Sequence, residues 1–244
     1  MTESLVADAE QVRVVRGRAA TPGADRAVTD RVLEAADEDA TPAVRAWTPH
    51  RQVAFGRRDT HADGYARARR VADSHGYPVV ERRVGGRAVA YTGTTVAFAV
   101  AVPIADRRRG IEARYEAATT AVVRALRSVG VPARRGEPAA SFCPGDHSVQ
   151  ARGKIAGIAQ RVRREAALVS GVVTVADHEA IAAVLDPIYD ALEVPFDPDS
   201  VGSVARSGGP ANSDAVVDAL FDALCGDAPR RAADAASFEQ NRRA

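Results

Sequence analysis

Short apolar runs with β-type composition alternate with longer amphipathic segments along the chain. Apolar residues at helical spacing predict helices over about 25–36 and 111–129. The longest uninterrupted apolar run, 96–102, is typical of a buried strand. Further strands are predicted at 11–16, 43–47, 52–55, 78–82, 88–91, 148–151, 154–161 and 166–175, and further helices at 63–74, 177–185 (followed by 187–192) and 213–224.

The order of these elements favours one fold class. Strands come in hairpins and clusters with helices between them, and they do not follow a strict βαβ alternation. This predicts an α+β protein with a mixed β-sheet flanked by helices, and argues against a doubly wound nucleotide fold. Residues 1–10 are expected to be a flexible N-terminus, 11–226 a folded domain, and 227–244 a flexible C-terminal tail.

Composition excludes several classes of function. The formal net charge of +1 gives no overall attraction to nucleic acid or to a membrane surface. No apolar run is long enough for a membrane helix, and the N-terminus lacks the apolar core of a signal peptide, so we expect a cytoplasmic protein. Neither Cys143 nor Cys225 belongs to a Cys-x-x-Cys pair, so no zinc site or disulfide framework is predicted.

Lys154 is the one lysine among 33 basic residues. An ammonium is a compact point charge with three donors, whereas a guanidinium is a wide planar fork, so the two are not interchangeable in a narrow site. Chance is the alternative explanation, because GC-rich codon usage removes lysines. The neighbouring residues favour a site, since small side chains at Ala156, Gly157 and Ala159 leave room for a ligand against the predicted strand.

A second candidate segment is a double glycine between two predicted strands. Gly85 and Gly86 allow close approach of the backbone to a ligand, with amides free to face an anion, and Arg82 can add a charged contact. An ordinary hairpin with a glycine turn is the alternative. The segment is neither a Walker loop nor a dinucleotide fingerprint, because it lacks their spacings and no helix follows.

The glycine and lysine segments, in this order and separated by a long predicted helix, resemble the biotin/lipoate protein ligase superfamily, in its lipoate-protein ligase and octanoyltransferase branch. The resemblance implies a catalytic domain similar to class II aminoacyl-tRNA synthetases and biotin synthetase, spanning residues 11–226. It rests on Ala24-Asp25-Arg26-Ala27-Val28-Thr29-Asp30, on Val44 to Trp47 with Val53-Ala54-Phe55-Gly56-Arg57, on Pro78 to Val89, and on Lys154-Ile155-Ala156-Gly157-Ile158-Ala159-Gln160.

The resemblance first implies an ATP-dependent lipoate-protein ligase. Such enzymes use ATP and Mg²⁺ to convert lipoate or octanoate to an acyl-adenylate. They then transfer the acyl group to a lysine on a lipoyl domain of a 2-oxoacid dehydrogenase or on a glycine-cleavage H protein. Lys154 would be catalytic, contacting the acyl carbonyl and the phosphate. The implied substrate and adenylate contacts, around an apolar tunnel, are Arg82, Gly85, Gly86, Arg87, Ala88, Val89, Tyr91, Asp146, His147, Ile155, Ala156, Gly157 and Ala159.

Cys143 opens a second interpretation. The transferases of this superfamily use a cysteine nucleophile with the same lysine and need no ATP, and a thiolate near Lys154 would be stabilised by its charge. The spacing from Cys143 to the lysine strand is several residues shorter than in that branch, and a packing role is the alternative.

A third interpretation is a non-catalytic acyl-binding relative. It follows from two departures from the family pattern, Glu81 in place of an arginine and Tyr91 in place of a histidine. With a third departure, Ser170-Gly171 in place of His-Gly, they leave the identity of the substrate open. A shift of register could let Arg83 replace the missing arginine. About 18 residues follow the last predicted helix, which is too few for the accessory domain that many ligases carry, so a ligase could require a separate accessory polypeptide.

Overall fold

The computed structural model describes residues 4–82, 85–236 and 238. Within these residues it contains two sheets and six α-helices. In chain order, the elements are β1 (Val12–Arg16), α1 (Pro22–Glu38), β2 (Ala43–Trp47), β3 (Gln52–Phe55), α2 (Arg57–Thr60), α3 (Tyr65–Ser74), β4 (Val79–Glu81), β5 (Val89–Tyr91), β6 (Val96–Pro103), α4 (Ile111–Ser128), β7 (Arg134–Arg135), β8 (Ser148–Ala151), β9 (Gly153–Val162), β10 (Ala166–Val173), α5 (His178–Ala191), α6 (Ser213–Cys225) and β11 (Arg230–Asp234).

The larger sheet has eight strands in the order β11-β1-β2-β6-β10-β9-β8-β7. Strand β1 runs parallel to both β11 and β2, whereas the remaining neighbours are antiparallel. The smaller sheet has the order β4-β3-β5, with β3 parallel to β4 and antiparallel to β5. The predicted α+β class, a mixed sheet flanked by helices, is confirmed.

Helices cover both faces of the large sheet. On one face, α4 and α6 bury residues such as Leu126 and Leu220 against Phe98 of β6. On the other face, α1 buries Val32 and Leu33 against the alanines of β6. The small sheet, α3 and α5 form a third apolar cluster beside α1, which also includes residues of the loop before β8. The candidate site lies where this third cluster meets the large sheet.

Two pairs of strands that are neighbours in the sequence do not form hairpins. Strands β2 and β3, which follow each other closely in sequence, belong to different sheets. Strands β4 and β5 flank β3 and do not pair with each other, so the glycine segment between them crosses over β3. The reason is that α2 and α3 connect β3 to β4 as a crossover, which makes those two strands parallel neighbours.

Three predicted element boundaries also need correction. Helix α5 continues through Pro187, because packing of its buried face in the third cluster outweighs the local cost of proline. Helix α6 ends at Cys225, one residue later than predicted, and Asn212 is its side-chain N-cap. Within the predicted C-terminal tail, β11 pairs with β1 along five residues.

The N-terminal segment that was expected to be flexible is also partly anchored. Val6 is buried, and the Ser4 hydroxyl donates a hydrogen bond of 2.6 Å to the Leu224 carbonyl. Among the described residues, no helix has the length and apolar character needed to span a membrane.

Candidate functional site

Lys154 lies near the start of β9 with its ammonium group inside the protein. Its exposed fraction is 1 %. The ammonium nitrogen Nζ donates to both carboxylate oxygens of Glu137, at 3.0 and 2.9 Å. It also donates to the main-chain carbonyls of Phe142, at 3.0 Å, and Cys143, at 2.8 Å. Four oxygen acceptors around one nitrogen account for a lysine here, because a planar guanidinium could not place its nitrogens among all of them.

Glu137 lies near the start of the loop that connects β7 to β8. Besides Lys154, its carboxylate accepts hydrogen bonds from the hydroxyls of Ser141 and Ser148. It also accepts one from the Gly145 amide, at 3.2 Å. The carboxylate therefore holds several points of a loop that has little regular structure of its own. Lys154 and Glu137 together fix the position of the segment that carries Cys143.

Cys143 is presented by this loop toward the glycine segment. Its backbone is in the left-handed region, with φ of +42°, and its side chain is half-buried. The sulfur Sγ accepts a hydrogen bond from the Arg87 amide at 3.4 Å. The Cys143 amide donates to the Tyr189 hydroxyl at 2.6 Å, and that hydroxyl donates to the Ala88 carbonyl at 3.0 Å. Cys143 is thus connected to the residues that follow Gly86 by two routes. Its sulfur contacts the Arg87 amide directly, and its own amide reaches the Ala88 carbonyl through the Tyr189 hydroxyl.

The glycine segment has no room for side chains where it meets its neighbours. Gly86 has φ of +92°, and a Cβ added there would lie 2.9 Å from the sulfur of Cys143. A Cβ added to Gly56 would collide with the carbonyl oxygen of Gly86. Gly86 is therefore required both by backbone conformation and by its close approach to the thiol. Gly85 is exposed.

The arginines of the glycine segment are held by protein partners. Arg82 donates from Nη2 to the Arg87 carbonyl at 2.6 Å. Arg87 pairs through Nη1 with Asp59 at 3.2 Å, and Asp59 also accepts from the Gly56 amide at 3.2 Å. Burial raises the pKa of Asp59, and the hydrogen bond from Arg87 opposes that rise. These contacts hold the glycine segment in its conformation.

The other predicted binding residues lie in different surroundings. Ala88, Val89 and Tyr91 are buried in and beside β5, and burial raises the pKa of Tyr91. Ile155 and Ala156 are buried in the core of the large sheet. A Cβ on Gly157 would lie 3.5 Å from Cε of Lys154, and Ala159 is exposed further along the same strand.

Asp146 and His147 have different surroundings. Asp146 is exposed, and the ring of His147 stacks on Tyr115 of α4 with centroids 3.7 Å apart. The Nε2 atom of His147 lies 3.9 Å from a carboxylate oxygen of Glu112. The structure thus places this side chain against α4, and not among the contacts of Lys154 and Cys143. Arg83, the alternative phosphate-facing arginine, lies outside the described residues.

Sequence reasoning missed three residues that organise the site. Glu137, Asp59 and Tyr189 come from separate segments and carry no recognisable motif. One signal existed for Glu137, because a buried ammonium requires a carboxylate partner. Nothing local indicated which of the chain's acidic residues would supply it.

Comparison with known proteins identifies the class of protein. Residues 22–225 match the family model described as the lipoyl protein ligase A/B catalytic domain. This match covers most of the chain, so the chain belongs to that family, and the resemblance drawn from the glycine segment and the lysine strand is confirmed.

Two curated bacterial relatives and one solved structure are similar to the chain. An octanoyl-[GcvH]:protein N-octanoyltransferase of Bacillus velezensis is 30 % identical over 139 residues, covering 55 % of this chain and 48 % of the relative. A lipoyl-[GcvH]:protein N-lipoyltransferase of Listeria monocytogenes is 29 % identical over 123 residues, covering 50 % and 44 %. The matches thus span about half the length of each relative. A crystal structure of lipoate-protein ligase A bound with ATP has a TM-score of 0.76 at 21 % identity, covering 95 % of this chain and 93 % of that one, which shows a shared fold.

Proposed function

We propose that the protein is an ATP-independent octanoyl or lipoyl transferase in which Cys143 carries the acyl group as a thioester. The observation that supports this most directly is the pair of contacts around Cys143. Its carbonyl binds the ammonium of Lys154, and its sulfur lies 3.4 Å from the Arg87 amide on the glycine segment. A half-buried thiol that accepts a hydrogen bond from a backbone amide, on a loop anchored by a buried ammonium, has the features of a nucleophile.

The first half-reaction forms the thioester. The Cys143 thiolate attacks the carbonyl carbon of an acyl group carried by a donor protein, so that a C–S bond forms. The bond to the donor's nitrogen or sulfur then breaks, and the leaving group takes up a proton. The negative charge that develops on the carbonyl oxygen needs a preorganised donor. The Arg87 amide, which faces the sulfur, is the donor we assign to this role.

The second half-reaction regenerates the thiolate. The amine of an acceptor lysine attacks the thioester, a C–N bond forms, and the C–S bond to Cys143 breaks. The amine's proton is lost to solvent. Lys154 supports both steps, because its ammonium fixes the loop that carries the nucleophile through the carbonyls of Phe142 and Cys143. Contact between Lys154 and the acyl carbonyl would require it to exchange one of its present acceptors.

The names of both curated relatives favour transfer over ligation, since each describes transfer of an acyl group from one protein to another. By the same analogy, the donor is an acylated glycine-cleavage H protein and the acceptor is a lipoyl domain. Under this proposal ATP, Mg²⁺ and a separate accessory polypeptide are not required. The ligase interpretation and the non-catalytic one make different predictions in the same assay.

The test uses octanoylated H protein as donor and an apo lipoyl domain of a 2-oxoacid dehydrogenase as acceptor, without ATP. We expect octanoyl transfer, and with donor alone a hydroxylamine-sensitive octanoyl adduct on the enzyme, detected by intact mass. Cys143→Ala should abolish both, whereas Cys225→Ala, the matched control at the other cysteine, should retain both. Transfer that requires free octanoate and ATP and survives Cys143→Ala would support the ligase. No transfer under either condition would support the binding protein.

A further inference from the structure

Positive charge is concentrated in one part of the chain. Residues 49–91 contain nine arginines and four acidic residues, a formal charge of +5, although the whole chain carries only +1. The rest of the chain therefore has a formal charge of about −4. In the fold, residues 49–91 form the small sheet, helices α2 and α3, and the glycine segment. The charge asymmetry thus coincides with the part of the molecule that covers Cys143.

Three exposed arginines of this part border the glycine segment, and we call them the basic rim: Arg57, Arg58 and Arg69. Arg57 and Arg58 begin α2 directly after Gly56, which packs against the Gly86 carbonyl. Within the described part of the chain, neither guanidinium makes a hydrogen bond or an ion pair.

Arg69 reaches the same border from α3. It lies one helical turn after Tyr65, and its guanidinium is 5.8 Å from the centre of that ring. The Tyr65 hydroxyl in turn donates to Glu81 at 2.7 Å, at the end of the strand that leads into the glycine segment. Arg69 therefore lies near the end of the strand that leads into the glycine segment.

The acidic residues of residues 49–91 do not cancel this charge at the surface. Asp59 is fully buried and paired with Arg87. Glu81 is the acidic residue nearest the glycine segment in sequence, and it accepts the hydrogen bond from Tyr65. Glu81, Asp63 and Asp73 are exposed, so among the described residues three acidic side chains face six exposed arginines, Arg51, Arg57, Arg58, Arg67, Arg69 and Arg70. The surface of this part of the molecule therefore keeps a net positive charge.

We propose that the basic rim docks the acceptor protein through an acidic face that surrounds its target lysine. The inference rests on the proposed transfer function. A lysine side chain arrives as an ammonium, and a positive opening repels it. Acidic residues around that lysine on the acceptor would reverse the sign of the interaction and steer the amine to the thioester. The rim therefore selects acidic acceptor domains and disfavours free amines.

The test isolates the acceptor step. The enzyme is first acylated on Cys143 with octanoyl-N-acetylcysteamine, an uncharged thioester that needs no protein docking. The apo lipoyl domain of a 2-oxoacid dehydrogenase is then added as acceptor, and loss of the enzyme-bound octanoyl group is followed in single turnover. The rim variant is Arg57→Glu with Arg58→Glu. The matched control is Arg107→Glu with Arg108→Glu, two exposed arginines in the loop after β6, at the end of that strand farther from Lys154.

We expect the rim variant to react with the apo lipoyl domain at least tenfold more slowly than wild type at low salt, with the difference shrinking as salt is added. The control should match wild type, and cleavage by hydroxylamine, a small neutral nucleophile, should be equal in all three proteins. Equal rates with the apo lipoyl domain, an equal loss in the control, or slower hydroxylamine cleavage in the rim variant would each overturn the docking surface. Absence of any octanoyl adduct on wild type would instead overturn the proposed function.

Discussion

The interaction between Lys154 and Glu137 makes a prediction about folding stability that is independent of the reaction. Lys154→Met removes an ammonium that is 1 % exposed and has four oxygen acceptors within 3.0 Å. The methionine side chain fills similar space, so the change removes charge and donors with little loss of volume. Glu137 and two main-chain carbonyls lose their partner.

The magnitude follows from burial. Breaking a buried ion pair by removing one partner costs about 3–5 kcal/mol. The Glu137 side chain is 24 % exposed, so water can solvate part of the remaining carboxylate. We therefore expect Lys154→Met to lower the free energy of unfolding by about 3 kcal/mol. Glu137→Gln should cost more, because it leaves an ammonium charge in a site with almost no access to water.

Urea denaturation of the two single variants and the double variant measures the coupling. The double variant should be more stable than the sum of the single losses implies, by about 1 kcal/mol or more, because no unpaired charge remains in it. Two results would refute the reasoning. One is a Lys154→Met variant within about 0.5 kcal/mol of wild type, and the other is additivity of the single losses within the same margin.

Three further predictions test the surroundings of the thiol and the buried cysteine. Tyr189→Phe removes the hydroxyl between the Cys143 amide and the Ala88 carbonyl, so we expect a loss of about 1–2 kcal/mol in urea and slower thioester formation. Gly86→Ala places a Cβ 2.9 Å from Sγ at positive φ, and it should slow thioester formation more than tenfold in the intact-mass assay while Gly85→Ala, at an exposed glycine with no neighbour within 4 Å, does not. Burial raises the pKa of Cys225 to about 11, so as pH rises from 9.0 toward 11 the unfolded chain loses this proton while the folded chain retains it. Stability should fall by roughly 2–3 kcal/mol over that interval, and a Cys225→Ala variant that falls just as steeply would contradict the assignment.

The elements were predictable because burial leaves a periodic pattern in the sequence. The apolar run of β6 is the central strand of the large sheet, with both faces covered by helices. The pairing of strands was less predictable, because pairing depends on contacts between distant segments. Nothing within β4 or β5 specifies that both lie beside β3. When only the local sequence is considered, a double glycine between two strands indicates a hairpin turn.

The site was predictable to the extent that its residues are unusual as residue types. Lys154 and the glycines of its partner segment stand out in the sequence without any knowledge of their surroundings. Glu137 and Tyr189 do not, because each acts through one contact that only the fold creates. The same limit applied to Cys143, whose position beside Arg87 depends on the loop that Glu137 organises.

The distribution of lysine and arginine in this chain follows from what each position requires. The basic rim needs positive charge at a solvated surface, where the shape of the cation matters little and long-range attraction decides the rate of encounter. The interior position needs one nitrogen within 3.0 Å of oxygens from Glu137, Phe142 and Cys143. A guanidinium spreads its donors in a plane and would displace the loop that presents the thiol. Codon usage could therefore replace lysine with arginine at the surface at little cost, but the same replacement at position 154 would move Cys143.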